Sequence, residues 1–137
     1  MKIVIFSDGG ARGNPGPAAI GVIIENDTGK SIKKISRYIG ETTNNQAEYQ
    51  ALLAGLAYAK DLKPEEVNCY LDSELVVKQL NGEYKVKDKD LAAQFIKIWN
   101  LVHDFKKVVF HHVPREKNKK ADALVNSALD RRAEEKK

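Results

Sequence analysis

The first predicted strand and the turn after it constrain the fold of this chain most. Ile3 to Phe6 is an unbroken apolar run, typical of a strand buried on both faces, and Asp8-Gly9-Gly10 ends it. Side chains alternate along a strand, so Phe6 and Asp8 share one face. A carboxylate at the end of a buried strand is costly unless something pairs with it. Asp8 is therefore either a turn cap or one ligand of a metal site that needs further carboxylates.

The composition indicates a single globular domain. The chain has 137 residues, of which 42% are hydrophobic and 31% charged. We assign residues 1–132 to the domain and residues 133–137 to a charged tail that frays. No stretch is long and apolar enough to span a bilayer, and the start of the chain lacks a signal-peptide pattern. Together with a single cysteine, Cys69, in an apolar run, these features predict a cytoplasmic protein without a membrane partner.

A second acidic residue lies on the inner face of a predicted helix. Thr43, followed three residues later by Gln46, has the form of a capping box that opens this helix. Glu48 precedes Leu52 by one turn, so the two side chains point from the same face. Glu48 is thus a candidate ligand, although an acidic residue in a first turn can also simply favour the helix dipole.

A third acidic residue repeats the situation of Asp8. The strand Val67–Leu71 ends at Asp72, and Ser73 is placed to cap a helix that runs through Leu80. If this strand lies parallel to the first, the carboxylates of Asp8 and Asp72 converge. Ligand sites in open α/β sheets lie at that end of the strands.

The last two predicted helices complete the pattern. The stretch from Leu91 to Phe105 has an apolar face on which Trp99 is expected to be a core residue. Asn118 is a good cap for a final helix that ends near Arg132, and Asp122 lies on the apolar side of that helix.

Four isolated carboxylates near core faces predict a metal site. Like charges repel strongly in a low dielectric, and divalent cations relieve that repulsion. Asp and Glu oxygens without His or Cys partners suit Mg²⁺ or Mn²⁺ rather than Zn²⁺. Two such ions, about 3.5–4 Å apart, can activate water and stabilise the leaving oxygen of a phosphodiester. The net charge of +4 is compatible with a polyanionic substrate.

At these residues the chain resembles type 1 ribonuclease H. Four motifs stand in the order and spacing of that family, over about Lys2 to Ala128: Asp8-Gly9-Gly10 with Gly13-Asn14-Pro15-Gly16, Thr43-Asn44-Asn45-Gln46-Ala47-Glu48, Asp72-Ser73, and Asn118-x-x-x-Asp122. The resemblance implies an α/β ribonuclease H-like fold, a five-stranded mixed sheet with helices on both faces.

The resemblance also implies an activity and its cofactor. The expected reaction is endonucleolytic cleavage of the RNA strand of an RNA–DNA hybrid, leaving a 3′-hydroxyl and a 5′-phosphate. The expected catalytic residues and metal ligands are Asp8, Glu48, Asp72 and Asp122, holding two Mg²⁺ ions for which Mn²⁺ substitutes. We expect a monomer, and duplex RNA is a second candidate substrate.

Substrate contacts follow from the same resemblance. Asn14, Asn44 and Asn45 match positions that contact sugars and base edges, and Thr43 matches one that contacts a DNA phosphate. Gly9 and Gly10 are expected to let the substrate come close. Glu48 matches a residue that also meets a ribose 2′-hydroxyl, the group that distinguishes RNA from DNA.

The chain departs from the family pattern in two places. Many bacterial members carry a long basic protrusion between the second and third helices, whereas residues 83–90 are too short for it and only partly replace it with Lys85, Lys87 and Lys89. Many members also carry a histidine in a flexible loop before the last helix. Here His112 stands at a comparable distance from Asp122 but can equally end the preceding strand. Arg115, which can also be a solvated loop charge, is the other candidate for that auxiliary role.

Two alternatives stay open at this stage. A module that binds hybrids or duplexes without turnover would favour Lys and Arg over carboxylates at the four acidic positions. A nuclease of this fold that acts on DNA, like a transposase or an exonuclease, would share the carboxylates. The paired asparagines Asn44 and Asn45 at the helix start and the spacing of Asn118 and Asp122 favour ribonuclease H.

Overall fold

A five-stranded mixed sheet runs through the centre of the molecule. The structure is a computed structural model that describes residues 1–135. The strands are β1 (Lys2–Ala11), β2 (Gly16–Asn26), β3 (Ser31–Thr42), β4 (Glu66–Leu71) and β5 (Val108–His112). They lie in the order β3-β2-β1-β4-β5. The first three strands are antiparallel, whereas β4 is parallel to β1 and β5 is parallel to β4.

Helices cover both faces of the sheet, which confirms the predicted fold class. They are α1 (Asn44–Lys60), α2 (Glu74–Leu80), α3 (Lys89–Val102) and α4 (Lys119–Glu135), with a 3₁₀ turn at Arg115–Lys117. Helix α1 packs on β1 and β2, and α3 packs on α1. Helix α4 lies on the opposite face, against β2, β3 and part of β1.

Small residues in the sheet and in α1 allow the helices to pack closely. A Cβ atom added to Gly21 of β2 would lie 2.1 Å from the Ala121 carbonyl oxygen of α4. Gly21 is also the residue that pairs with Asp8 across β1 and β2. The glycine therefore lets the start of α4 approach the sheet near Asp8, which brings Asp122 close to Asp8. On the other face, a Cβ on Gly55 of α1 would lie 3.0 Å from the Cγ2 atom of Ile5.

Strand β1 differs from the prediction of burial on both faces. Ile3 and Ile5 are 0% exposed, but Val4 and Phe6 are only partly buried. The reason is that α4 lies mainly over β2 and β3 and leaves part of this face of β1 uncovered. On that face the ring of Phe6 stacks against Tyr70 of β4, with centroids 5.2 Å apart.

The predicted starts of α1 and α2 are confirmed by their caps. The Thr43 hydroxyl accepts from the Gln46 amide at 3.2 Å, and the Ser73 hydroxyl accepts from the Val76 amide at 3.3 Å. The end of the last helix was predicted too early, because α4 continues through residues 133–135 to Glu135. The remaining two residues of the predicted tail, 136 and 137, lie outside the described part, and the domain boundary at residue 132 stays a prediction.

The prediction that Trp99 is a core residue is wrong. Its side chain is 53% exposed, whereas Leu91 and Ile98 of the same helix are 9% and 1% exposed. Helix α3 packs through Leu91 and Ile98, so Trp99, the next residue, turns toward solvent. Its ring stacks on Phe95, with centroids 6.3 Å apart, and meets the His103 ring edge-on, with centroids 5.0 Å apart. Cys69 is buried as expected. Within residues 1–135, the helices are all too short or too polar to cross a membrane.

Candidate active site

Three carboxylates from three separate elements meet at one edge of the sheet. Asp8 lies on β1, Asp72 follows the end of β4, and Glu48 lies in α1. One carboxylate oxygen from each lies within 4.8 Å of the others. The parallel pairing of β1 with β4 runs as far as Phe6 and Tyr70, and Asp8 and Asp72 each lie two residues further on, which is the convergence that the sequence predicted. The prediction that β1 ends at Asp8 is wrong, because the strand stays paired with β2 through Ala11.

Burial and mutual repulsion make these groups hard to ionise. Asp8 is 7% exposed, and its burial, followed by the charge of Asp72, raises its pKa to about 8. Burial, followed by the charges of Asp8 and Asp72, raises the pKa of Glu48 well above its usual value. Burial also raises the pKa of Asp72. The Oε2 atom of Glu48 is buried and has no hydrogen-bond partner among the described residues.

Asp122 lies beside this group rather than within it. It projects from the first turn of α4 into the same cavity, whose volume is about 460 Å³. A hydrogen bond between the carboxyl groups of Asp122 and Asp8 adds to the increase in the pKa of Asp8. The structure thus brings all four predicted carboxylates into one cavity, with Asp8, Glu48 and Asp72 at its centre and Asp122 on its α4 side.

The structure separates the two auxiliary candidates, Arg115 and His112. Arg115 lines the carboxylate cavity, and its Nη2 atom lies 3.8 Å from Oδ1 of Asp122. Its positive charge lowers the pKa values of Asp8, Glu48 and Asp72, partly offsetting the effect of burial. His112 is exposed at the end of β5 and is not among the described residues that line the cavity.

Asn118 has a role that the sequence did not reveal. It was predicted to cap the final helix, but its side chain is 1% exposed and its Nδ2 atom donates to the Ser7 carbonyl of β1 at 3.0 Å. A further hydrogen bond from Asn118 lowers the pKa of Asp72. The residue therefore links β1, Asp72 and the start of α4. A contact between residues 111 positions apart leaves no local sequence signal.

The two glycines after Asp8 serve different purposes. A Cβ atom on Gly9 would lie 2.2 Å from the carbonyl carbon and oxygen of Ala47 and 2.4 Å from the amide nitrogen of Glu48. Gly9 therefore allows α1 to touch β1 and fixes how close Glu48 comes to Asp8. A Cβ on Gly10 would meet only the Val125 side chain, at an ordinary 3.5 Å. Both glycines line the carboxylate cavity.

The polar residues predicted to contact substrate lie in a neighbouring cavity of about 340 Å³. Asn14, Thr43, Asn44 and Asn45 all line it. The backbone N–H of Asn44 donates to Oδ1 of Asn14 at 3.0 Å, and the backbone N–H of Ala11 donates to Oδ1 of Asn44 at 2.8 Å. Asn44 lines both cavities, so one surface leads from the carboxylates to Asn14.

Comparisons with known proteins agree with this architecture. A family model described as reverse transcriptase-like matches residues 6–128. A bifunctional protein of Mycobacterium tuberculosis is 42% identical over 135 residues, which cover 98% of this chain. This chain spans only 37% of the length of that relative.

A relative of similar length and a solved structure extend the comparison. The ribonuclease H of Erythrobacter litoralis is 34% identical over 143 residues, covering 94% of this chain and 96% of the relative. The crystal structure of LC11-RNase H1 in complex with an RNA/DNA hybrid superposes with a TM-score of 0.91 at 47% identity, covering 96% of this chain and 99% of that one. Because these similarities extend over nearly the whole sequence and the whole fold, the chain belongs to the ribonuclease H family.

Proposed function

We propose that this protein is an endoribonuclease that cleaves the RNA strand of RNA–DNA hybrids by two-metal-ion hydrolysis, leaving a 3′-hydroxyl and a 5′-phosphate. The observation that carries the proposal is the group of Asp8, Glu48 and Asp72, of which each offers a carboxylate oxygen within 4.8 Å of the others. The similarity to a ribonuclease H that was crystallised with an RNA/DNA hybrid supports the choice of substrate.

The donor set fits a divalent cation of the Mg²⁺ type. All three central ligands offer carboxylate oxygens, and a buried Glu48 oxygen lacks a partner among the described residues. Burial and the neighbouring acidic charges raise the pKa values of these groups, so the site is unfavourable for negative charge, which a bound cation would offset. We assign Asp8, Glu48, Asp72 and Asp122 as the ligands. When bound, the cations supply an activated water and stabilise the charge on the phosphate and the leaving oxygen.

The remaining groups of the cavity orient the substrate. Arg115 is 81% exposed at the side chain and lies beside Asp122, so its guanidinium is available to a phosphate oxygen near the cleavage site. We therefore assign the auxiliary role to Arg115 rather than to His112. Glu48 and Asn45 are candidates to meet the ribose 2′-hydroxyl, because Glu48 lines the carboxylate cavity and Asn45 the adjoining one.

The part of the adjoining cavity beside Thr43 is a candidate site for a phosphate of the DNA strand. Two acidic residues, Asp88 and Asp90, also line this cavity. Asp88 already caps α3, accepting from the amides of Asp90 and Leu91 at 2.8 and 3.0 Å. Their negative charge opposes a phosphate in this cavity. With the basic protrusion also missing, we expect weak binding of the hybrid that falls with salt by a shallow slope.

The experiment that tests the proposal replaces one central carboxylate. Asp72→Asn is nearly isosteric but removes a negative charge, so we expect it to abolish cleavage of a labelled hybrid in Mg²⁺ and to leave hybrid binding largely intact. Asp27→Asn, at an exposed carboxylate in the turn between β2 and β3, is the matched control and should cleave like the parent. Cleavage by Asp72→Asn within tenfold of the parent would remove Asp72 from the set of ligands.

A further inference from the structure

The carboxylate cavity contains a second arginine, Arg12, besides the one assigned above. We propose that Arg12 binds a backbone phosphate of the strand that is cut, a few nucleotides from the scissile bond. This inference rests on the proposed function, since it adds a substrate contact to the same site. The contacts of the loop between β1 and β2, the spacing along α4 and the charge of the cavity carry it.

The backbone around Arg12 is held firmly against the site. Its amide donates to the Pro17 carbonyl at 2.8 Å, which closes the loop between β1 and β2. A Cβ on Gly16 would lie 2.2 Å from the Arg12 carbonyl oxygen, so the two limbs of this loop touch. The preceding amide, that of Ala11, donates to Asn44 at the start of α1. The backbone of Arg12 is therefore fixed in position beside the cavity.

The side chain of Arg12 is exposed and its partner is replaceable. Its Nη2 atom lies 2.6 Å from Oδ1 of Asp130 on α4, with exposed side-chain fractions of 46% and 64%. Ion pairs this exposed contribute little to stability, because water screens both charges. A guanidinium has five donors, and Asp130 leaves several of them free for a phosphate. Asp130 thus orients the guanidinium over the cavity without burying it.

The acidic partners of Arg12 and Arg115 lie far apart on α4, which indicates that the two arginines reach different phosphates. Arg115 lies beside Asp122 in the first turn of α4, and Arg12 lies beside Asp130. These two aspartates are eight residues apart on one helix, which corresponds to about 12 Å along its axis. Successive nucleotides of one strand rise by about 3.4 Å along the axis of the duplex, so a strand that runs parallel to α4 with one phosphate at Arg115 meets Arg12 roughly three nucleotides further on.

The negative charge of the cavity explains why a second arginine helps to bind the substrate. The cavity is lined by the carboxylates of Asp8, Glu48, Asp72 and Asp122, which repel a polyanion until cations bind. Among the described residues that line it, Arg12 and Arg115 supply the positive charge. An arginine on a rigid loop that lines the cavity holds the strand in register while it leaves the reacting phosphate free.

The test compares two variants that break the same ion pair. Arg12→Ala removes the pair and the cation, whereas Asp130→Asn removes the pair and keeps the cation. For cleavage of a hybrid in Mg²⁺, we expect Arg12→Ala to raise KM about tenfold with kcat nearly unchanged. The slope of log(kcat/KM) against log[salt] should become shallower by about 0.7–0.9 in this variant, because one phosphate contact is lost. Asp130→Asn should keep the parent KM or lower it.

A set of modified hybrids identifies the phosphate. Single uncharged methylphosphonate linkages are placed one at a time along the RNA strand, and in a second set along the DNA strand. We expect one RNA linkage, roughly three nucleotides from the cut, to raise the KM of the parent but not that of Arg12→Ala. Sensitivity confined to the DNA strand would overturn the assignment to the cut strand.

The outcomes separate this inference from the proposed function. If the parent cuts the hybrid and Arg12→Ala keeps the parent KM, this inference fails and the proposed function stands. If Arg12→Ala and Asp130→Asn raise KM equally, the pair only fastens the loop to α4, and the inference also fails. If the parent leaves the hybrid intact, the proposed function fails and takes this inference with it.

Discussion

Replacing Gly9 by alanine should both destabilise the protein and misplace its carboxylates. The added Cβ would lie 2.2 Å from backbone atoms of Ala47, whereas ordinary contacts begin near 3.4 Å, so α1 must shift by about 1.2 Å relative to β1. Backbone atoms cannot rotate away as a flexible side chain can. Overpacking of a core costs about 1–3 kcal/mol, and we place this clash at about 3–4 kcal/mol. A shift of about 1 Å between Asp8 and Glu48 should also cost roughly a hundredfold in kcat.

The neighbouring glycine provides the control. Gly10→Ala puts its Cβ 3.5 Å from the Val125 side chain, so its stability should stay within about 1 kcal/mol of the parent. Thermal unfolding followed by circular dichroism is the assay, and we expect Gly9→Ala to melt about 10 °C lower and Gly10→Ala within about 4 °C. A loss of activity in stable Gly10→Ala would report contact with the substrate. Melting of Gly9→Ala within 3 °C of the parent, or an equal fall in both variants, would refute the reasoning.

Two further predictions concern the electrostatics and the scaffold of the site. In EDTA no cation occupies the site, and the pKa of Asp8 is higher in the folded state than in the unfolded chain. The native state therefore holds a proton that the unfolded chain releases, so the free energy of unfolding falls as pH rises from about 4 to 8. Urea titrations at pH 5 and pH 8 should show the parent losing about 1–3 kcal/mol more than Asp8→Asn, and equal losses would contradict a buried, crowded Asp8. Asn118→Ala removes the donor to the Ser7 carbonyl, so it should lower the free energy of unfolding by about 1–3 kcal/mol and lower kcat more than it raises KM. The control, Asn100→Ala on the exposed side of α3, should leave the free energy of unfolding, kcat and KM unchanged. A parent-like kcat in stable Asn118→Ala would show that Asn118 does not hold Asp72 in place.

Local signals in the sequence identified most of the elements that carry the site. Thr43 and Ser73 cap α1 and α2 as predicted, because a cap depends on residues only three positions apart. The convergence of Asp8 with Asp72 followed from two similar strand ends, once those strands were taken as parallel neighbours. The four carboxylates could thus be found without the structure, although their roles as ligands stay a proposal.

Features that depend on distant contacts could not be predicted in this way. The phase of an amphipathic helix does not say which edge of its apolar face meets the core, so Trp99 was wrongly placed inside. The bond from Asn118 to Ser7 and the pair between Arg12 and Asp130 each join residues more than a hundred positions apart. Such contacts exist only once α4 has docked on the sheet, so a single sequence carries no trace of them.

The most direct test of the proposed reaction is a strand-resolved cleavage assay. Each strand of an RNA–DNA hybrid is labelled separately, beside a duplex of DNA and a hybrid whose RNA strand carries 2′-O-methyl groups, all in Mg²⁺ with EDTA controls. We predict that only the RNA strand of the natural hybrid is cut, in most sequence contexts, and that the new ends are a 3′-hydroxyl and a 5′-phosphate. Efficient cutting of the DNA duplex or of the 2′-O-methyl strand, or cleavage that persists in EDTA, would contradict the proposal that this site hydrolyses RNA in hybrids with divalent cations.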